Sequence, residues 1–204
     1  MSIERWQTAW RQLIAPGAPF EVVTSDDGAP RYFRHAARDL TQVFDAGRVH
    51  GDREFLVWQA QRLTFNQFFD QVDRLAGQMV ARFGLQPGER VAIAMRNQPA
   101  WLVAFAAIVR CGAVCVPLNS WGLRDELQYA LQDSDSRLLV CDEARFNTLH
   151  EDLAREQRGT IVVGAQETAS PEYCLRFEDL INAPILPAPT LEIDPDAPAL
   201  ILYT

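Results

Sequence analysis

The chain has 204 residues, of which 48% are hydrophobic and 23% charged, so its composition is that of a globular protein and not of a disordered one. Its formal charge is -8 and its cationic residues form no cluster, which argues against a nucleic-acid partner, because phosphate backbones select clustered Lys and Arg. Four cysteines without a C-x-x-C pair and three scattered histidines favour buried thiols in a reducing compartment over disulfides or a zinc site.

The first predicted element is an amphipathic helix that ends before Pro16-Gly17. Its apolar residues recur at helical spacing: Ile3, Trp6, Trp10, Leu13 and Ile14. Two tryptophans on one stripe allow two interpretations, an anchor at a membrane surface or a helix docked on its own domain. The polar face is not rich in basic residues, which favours the docked helix.

A pair of strands is predicted at Glu54 to Trp58 and Arg62-Leu63, followed by a long helix. Thr64 and Gln67 form a capping box at its start, and Gly84 supplies its left-handed end. We expect one face of this helix to be buried, namely Phe65, Phe68, Phe69, Val72, Leu75, Ala76, Met79, Val80 and Phe83. The charged residues of the other face are expected to be exposed: Asp70, Asp73, Arg74 and Arg82.

Short apolar runs alternate with helical patterns farther along the chain. Strands are predicted at residues 91–95, 113–116, 138–141 and 161–163, with helices over residues 101–109 and 123–131. Such alternation with short connections requires right-handed crossovers and a sheet covered on both faces. The predicted fold class is α/β, a doubly wound and mostly parallel sheet flanked by helices.

The longest apolar stretch, Ala100 to Leu118, is not expected to span a membrane. It contains Arg110, Gly112 and Pro117, and a buried helix that turns at Gly112 into a short strand accounts for all three. We therefore expect a cytoplasmic protein without a membrane span.

The last part of the sequence consists of a proline-rich connector and an apolar run. Five prolines fall within residues 183–198, which predicts an extended connector, and Pro198 to Tyr203 reads as a fully buried central strand. The carboxyl end of such a strand is where α/β sheets place ligand loops. Because no polar tail follows, the expectation is that residues 1–204 form one incomplete layer of a larger protein.

The usual nucleotide and hydrolase motifs are missing from this sequence. It has no G-x-G-x-x-G, no G-x-S-x-G and no G-x-x-x-x-G-K-[ST]. The residues alone therefore predict an α/β domain, and no known motif identifies the edge of its sheet that binds a ligand.

Several segments, in their order and spacing, resemble the adenylate-forming acyl-CoA synthetases. They are Arg62 to Phe65, Leu85 to Ile93, Asn97 to Trp101, Gly112 to Val114, Val116 to Asn119, and Leu123 with Glu126, Leu127, Tyr129, Leu131, Asp133 and Ser134. The resemblance implies an AMP-forming acid–CoA ligase that uses ATP, Mg2+ and coenzyme A, with a fatty or aryl acid as substrate. It further implies that residues 1–204 are the N-terminal subdomain of the large domain of the ligase.

In that family, a strand similar to Pro198 to Tyr203 leads into a Ser/Thr/Gly-rich loop that holds the phosphates of ATP. Thr204 is on this resemblance the one candidate nucleotide contact, and no catalytic or metal-binding residue is assigned within the chain. Trp121 could shape an acyl or pantetheine channel, although packing against the next helix is the favoured interpretation. Asn119 is expected to cap or turn the backbone, and Arg96 to face either a phosphate or, more commonly, solvent.

Three alternatives remain open at this stage. The chain is a piece of a ligase without the active site, a complete ligase whose sequence is cut short, or a free-standing flavodoxin-like binding or interaction module. For the first alternative, we expect a chain that is inactive alone and self-associates through its apolar edge near residues 199–203.

Overall fold

The computed structural model describes residues 2–24, 31–165, 172–187 and 191–203. The chain divides into two compact units, Met1–Arg38 and Asp39–Thr204.

The first unit contains a helix and a small antiparallel pair of strands. Helix α1 spans Ile3–Ile14, as predicted, and the Ser2 side chain accepts a hydrogen bond from the backbone of Arg5 at its start. Strand β1 (Val22–Val23) pairs with β2 (Tyr32–Phe33). An ion pair of 2.7 Å between Glu21 and Arg34 joins the two sides of this pair.

The second unit begins with short elements that lead into a long helix. They are α2 (Leu40–Asp45), a 3-10 helix (Ala46–His50), and the antiparallel strands β3 (Glu54–Trp58) and β4 (Gln61–Thr64). Helix α3 spans Phe65–Phe83; both hydrogen bonds of the predicted capping box are present, and Gly84 ends the helix at φ +63°. The predicted apolar face of α3 is confirmed, because Phe68, Val72, Leu75 and Met79 are buried.

The prediction that the charged residues of α3 all face water is wrong for two of them. Asp73 accepts hydrogen bonds of 2.9 and 3.1 Å from Arg48 and lies 2.8 Å from Arg110, and only 25% of its side chain is exposed. Arg74 donates to the Ala183 carbonyl at 2.6 Å. Helix periodicity in the sequence cannot reveal these partners, because they belong to other elements that contact the helix only in the folded protein.

A five-stranded parallel sheet forms the centre of the second unit. Its strands are β5 (Arg90–Ala94), β6 (Val114–Pro117), β7 (Ser136–Asp142), β8 (Gly159–Val163) and β9 (Cys174–Arg176), in the order β6-β5-β7-β8-β9. The intervening and following helices are α4 (Pro99–Arg110), α5 (Arg124–Asp133), α6 (Glu143–Glu156) and α7 (Phe177–Asn182). Strand β9 and helices α6 and α7 were not predicted.

The two faces of the sheet are covered by different helices. Val91 and Ile93 of β5 pack into a core with α3, α4 and α7, whereas Ala92 and Ala94 of the same strand pack into a second core with α5 and α6. This alternation along one strand is the pattern of a sheet buried on both faces. The predicted doubly wound α/β fold is confirmed.

The proline-rich segment passes over α3 and returns to the sheet. Its described parts, residues 183–187 and 191–198, contain no helix or strand. A Cβ atom at Gly77 of α3 would lie 2.5 Å from the Leu186 carbonyl oxygen, so only glycine permits this approach.

The apolar run after this segment is an edge bridge and not the buried central strand that was predicted. Cys115 of β6 donates to the Ala199 carbonyl at 3.0 Å, and its own carbonyl accepts from Ile201 at 2.9 Å. Leu200 is 40% exposed and Leu202 65% exposed. The run is therefore paired on one side only within the part of the chain that the structure describes.

All four cysteines are free and buried, and their predicted burial is confirmed. Burial raises the pKa of the Cys111 and Cys115 thiols to about 12.

Candidate functional site

The order of the strands places a topological switch point between the carboxyl ends of β5 and β7. From β5 the chain continues to β6 on one side, and from β7 it continues to β8 on the other side. In doubly wound sheets, ligands bind at this switch point, outside the carboxyl ends of the two strands. Arg96 follows β5 here, and Asp142 is the last residue of β7.

Asp142 connects the two strand ends to helix α6. One of its carboxylate oxygens accepts from the backbone N–H of Arg96 at 3.1 Å, and the other caps α6 by accepting from the backbone N–H of Arg145 at 3.0 Å. The Arg145 guanidinium also binds both carboxylate oxygens, at 3.2 and 3.1 Å, and donates to the Ser120 carbonyl. The loop after β6 is thereby tied to the end of β7.

The Arg96 guanidinium lies over the ring of Trp121, with its central carbon 2.9 Å from the ring centroid. Trp121 is 77% exposed, and its backbone N–H donates to the Asn119 side chain at 3.0 Å, so the loop is held by an Asx-type turn. This cation–π pair joins the residues that follow β5 and β6. It leaves one face of a large aromatic ring open beside a cation.

The electrostatics of this group favour an anionic ligand. Desolvation and repulsion from Arg145 lower the pKa of Arg96, and Asp142 acts in the opposite direction. Arginine nevertheless stays protonated at neutral pH. Arg96, Arg145 and Asp142 together carry a net positive charge in a protein whose formal charge is -8.

An apolar cleft of about 590 Å³ lies beside the same loop. It is lined by Leu118, Asn119, Gly122, Asp125, Glu126, Leu127, Tyr129, Ala130 and Tyr203. The Tyr203 hydroxyl donates to Asp133 at 2.7 Å, and burial, followed by this bond, raises the pKa of Tyr203. Small-molecule sites commonly combine an apolar wall with a few polar groups in this way.

A second and larger hollow, of about 990 Å³, lies at the opposite, amino edge of the sheet. Its arginines are largely neutralised: Arg137 pairs with Glu89, and Arg158 with Glu156. The carboxyl edge is therefore the better candidate for ligand binding.

The residues proposed from sequence have different outcomes. Asn119 turns the backbone, as predicted. The favoured packing of Trp121 against the next helix is wrong, because Arg96 provides its contact, and Arg96 is accordingly not a simple surface arginine. Thr204 lies outside the described residues.

Sequence reasoning missed Asp142 and Arg145, although Asp142 stands directly before a helix and three residues ahead of Arg145. An acidic residue at the end of an apolar strand is a helix-capping signal that was available in the sequence.

The described residues contain no group of three or more His, Cys, Asp or Glu side chains placed to hold a metal ion. None of their helices is both long enough and apolar enough to cross a bilayer.

Comparison with known proteins gives a match across most of the chain. The sequence model of the family described as AMP-binding enzyme matches residues 43–204. The chain belongs to the AMP-binding enzyme family. The switch point between β5 and β7 lies within the matched residues.

Relatives and solved structures agree with this family. The chain is 28% identical over 143 residues to a 4-hydroxybutyrate–CoA ligase of Metallosphaera sedula, covering 67% of the chain and 26% of that relative. It is 27% identical over 156 residues to a 3-hydroxybenzoate/4-hydroxybenzoate–CoA ligase of Thauera aromatica, covering 76% of the chain and 29% of that relative. The chain thus spans less than a third of the length of either relative.

The coronafacic acid ligase of Pectobacterium brasiliense shares the fold, with a TM-score of 0.72 over 81% of this chain and 33% of that chain at 19% identity. This likeness shows a shared fold, and it covers a third of the length of that ligase.

Proposed function

We propose that this chain is the N-terminal part of an AMP-forming acid–CoA ligase. In the proposed reaction, a carboxylate oxygen attacks the α-phosphorus of ATP and releases pyrophosphate, and the coenzyme A thiol then displaces AMP from the acyl-adenylate. The match of residues 43–204 to the AMP-binding enzyme family carries this proposal, and two CoA ligases among the relatives support it. The same match favours a ligase over a free-standing flavodoxin-like module.

The carboxyl edge is proposed to face the phosphorylated substrates. Phosphoryl transfer depends on positioning and on stabilisation of negative charge, and Arg96 with Arg145 supplies positive charge at the switch point. Trp121 offers an open ring face to an adjacent acyl or pantetheine group. Thr204 is proposed as a nucleotide contact because Pro198 to Tyr203 resembles the strand that leads into the phosphate-binding loop of the family.

ATP, Mg2+ and coenzyme A are the proposed cofactors of the whole ligase, and a fatty or aryl acid is its proposed substrate. Residues 1–204 are proposed to form a cytoplasmic N-terminal subdomain in which residues 183–198 act as a connector. We propose that this chain alone binds none of the cofactors productively, because it covers only 26% of the Metallosphaera sedula ligase and 29% of the Thauera aromatica ligase. The groups that hold the metal, and the further groups that complete the stabilisation of the transition state, are then supplied by the remainder.

Carboxylate-dependent exchange between ATP and pyrophosphate tests this proposal. The product of the complete gene should catalyse exchange with at least one acid from a panel of fatty and aryl acids, and the 204-residue chain should not. Loss of a single charge-stabilising group commonly costs about 3–4 kcal/mol of transition-state stabilisation, so a chain that lacks several should show only background. Exchange by the pure 204-residue chain would contradict the assignment of the active site to other residues.

The chain is also proposed to self-associate through the edge bridge at residues 199–203. Leu200 and Leu202 are exposed there, and the outer side of the bridge has no strand partner among the described residues. Leu202→Lys should lower the apparent mass in light scattering, whereas Val49→Lys, at an 84% exposed position of the 3-10 helix, should not. A strictly monomeric wild-type chain would refute self-association and leave the ligase proposal intact.

A further inference from the structure

Helix α1 exposes an apolar stripe that the ligase proposal does not use. None of its residues, all of which are described, is buried. Ile3 is 76% exposed, Trp6 58%, Trp10 45% and Leu13 43%. The two indole rings are stacked, with centroids 5.9 Å apart and planes at 5°, so the stripe presents them as one aromatic surface.

The charged residues of α1 are arranged around this stripe. At about 100° per residue, Arg5 and Arg11 fall on opposite sides of the stripe, each roughly 120° from its centre, and Glu4 falls beside Arg11, so the helix carries a net charge of +1. Thr8 lies on the opposite face. Arginines that flank an apolar stripe on both sides can lay their carbon chains along a lipid surface while their charges reach the phosphates.

The charge of the chain is divided unevenly between the two units. Residues 1–38 hold five arginines against two aspartates and two glutamates, a formal charge of +1. Because the whole chain carries -8, residues 39–204 carry -9. An anionic surface would therefore attract the first unit and repel the second. The family match begins at residue 43, and α1 lies outside it.

The first unit displays further aromatic residues on its surface. Phe20 is 56% exposed, Tyr32 56% and Phe33 45%. Aromatic rings beside cations are the composition of segments that lie at membrane–water interfaces. A helix of 12 residues is about 18 Å long, which is too short to span a bilayer and suits a position in its plane.

We infer that α1 binds the surface of an anionic lipid bilayer, lying in the interface with Trp6 and Trp10 among the headgroups. Binding combines burial of the stripe with attraction of Arg5 and Arg11 to lipid phosphates. It is a reversible, peripheral attachment, independent of the activity of the ligase.

Sedimentation with lipid vesicles tests this inference on the whole 204-residue protein. The protein should bind vesicles of phosphatidylcholine that contain phosphatidylglycerol, and should bind vesicles of phosphatidylcholine alone more weakly. High salt should reduce binding, because it screens the arginine–phosphate attraction. Lipids brominated on their acyl chains should quench part of the tryptophan fluorescence, as expected when Trp6 and Trp10 reach the acyl boundary.

Two variants separate the stripe from other surfaces. Trp6→Gln with Trp10→Gln should weaken vesicle binding by about tenfold or more, because most of the apolar contact is lost. Thr8→Gln, on the opposite face of the same helix, should leave binding unchanged. Circular dichroism should show equal helix content in all three proteins.

Two results would overturn the inference. One is a wild-type protein that does not sediment with anionic vesicles. The other is a double variant that binds them as well as the wild type. If the double variant binds as well as the wild type but differs in oligomeric state, a second copy of this chain covers the stripe.

Discussion

Replacing Gly77 by alanine should destabilise the protein, although the same change in an ordinary helix is stabilising. Gly77 lies in the middle of α3, where alanine is favoured over glycine by about 1 kcal/mol. The added Cβ atom would stand 2.5 Å from the Leu186 carbonyl oxygen and 3.1 Å from its carbonyl carbon. Backbone atoms cannot rotate away as a side chain can, so residues 183–187 must move.

The magnitude follows from the bonds that hold this segment on α3. Arg74 donates to the Ala183 carbonyl at 2.6 Å, and Gln78 donates to the Pro184 carbonyl at 3.3 Å. Weakening these bonds costs about 1–3 kcal/mol, and overpacking adds about 1 kcal/mol or more. After the helix gain of about 1 kcal/mol, we expect a net loss of about 1–3 kcal/mol in the free energy of unfolding.

Urea denaturation followed by circular dichroism measures this loss as a lower midpoint with an unchanged slope. Ala81→Gly, at an exposed position of the same helix, measures the effect of helix propensity without a packing change and should cost about 1 kcal/mol. A Gly77→Ala protein more stable than the wild type would refute the packing of residues 183–187 against α3.

Three further predictions concern the core, the thiols and the pH dependence of stability. Phe68→Ala should lower the free energy of unfolding by about 3–5 kcal/mol, because Phe68 is fully buried. Asp70→Ala, on the exposed face of the same helix, should change it by under about 1 kcal/mol. Equal losses in urea denaturation would show that the buried face of α3 is assigned wrongly. The four cysteines should not react with a thiol reagent until the protein unfolds, since burial raises the pKa of Cys111 to about 12; prompt reaction of one thiol in the native protein would contradict this. The hydrogen bond from Arg124 lowers the pKa of Asp152 in the folded protein below its ordinary value of 3.8. The ionised Asp152 carboxylate therefore stabilises the fold fully above pH 3.8, and this stabilisation is lost as the pH falls through the lower pKa of the folded state. In Asp152→Asn, the free energy of unfolding should decrease less as the pH is lowered than it does in the wild type. An unchanged pH dependence would count against the ion pair.

Local signals in the sequence were enough to predict the elements whose patterns are complete. Helix α3 has a capping box at one end, glycine at the other and a continuous apolar face between them. Helix α6 was missed because few of its residues are apolar, and only Leu149 and Leu153 among them are buried. A helix that covers one face of a sheet through two leucines has a weak periodic signal.

Features that depend on neighbours distant in sequence were not predictable in this way. The apolar run at residues 199–203 reads as a central strand, but whether a strand is central or at an edge depends on its partners. The candidate site also depends on contacts between residues that are distant in the sequence. Asp142 meets the backbone of Arg96, 46 residues earlier, only because β5 and β7 are adjacent across the switch point.

Formation of the coenzyme A thioester by the product of the complete gene tests the central claim most directly. The assay compares the wild type with Arg96→Ala, at the carboxyl edge, and with Arg82→Ala, at the amino edge of the sheet. We expect thioester and AMP from at least one fatty or aryl acid, a rate reduced about tenfold or more in Arg96→Ala, and normal rates in Arg82→Ala at equal thermal stability. Absence of thioester with every acid, or equal rates in the two variants, would contradict the proposed ligase site at the carboxyl edge.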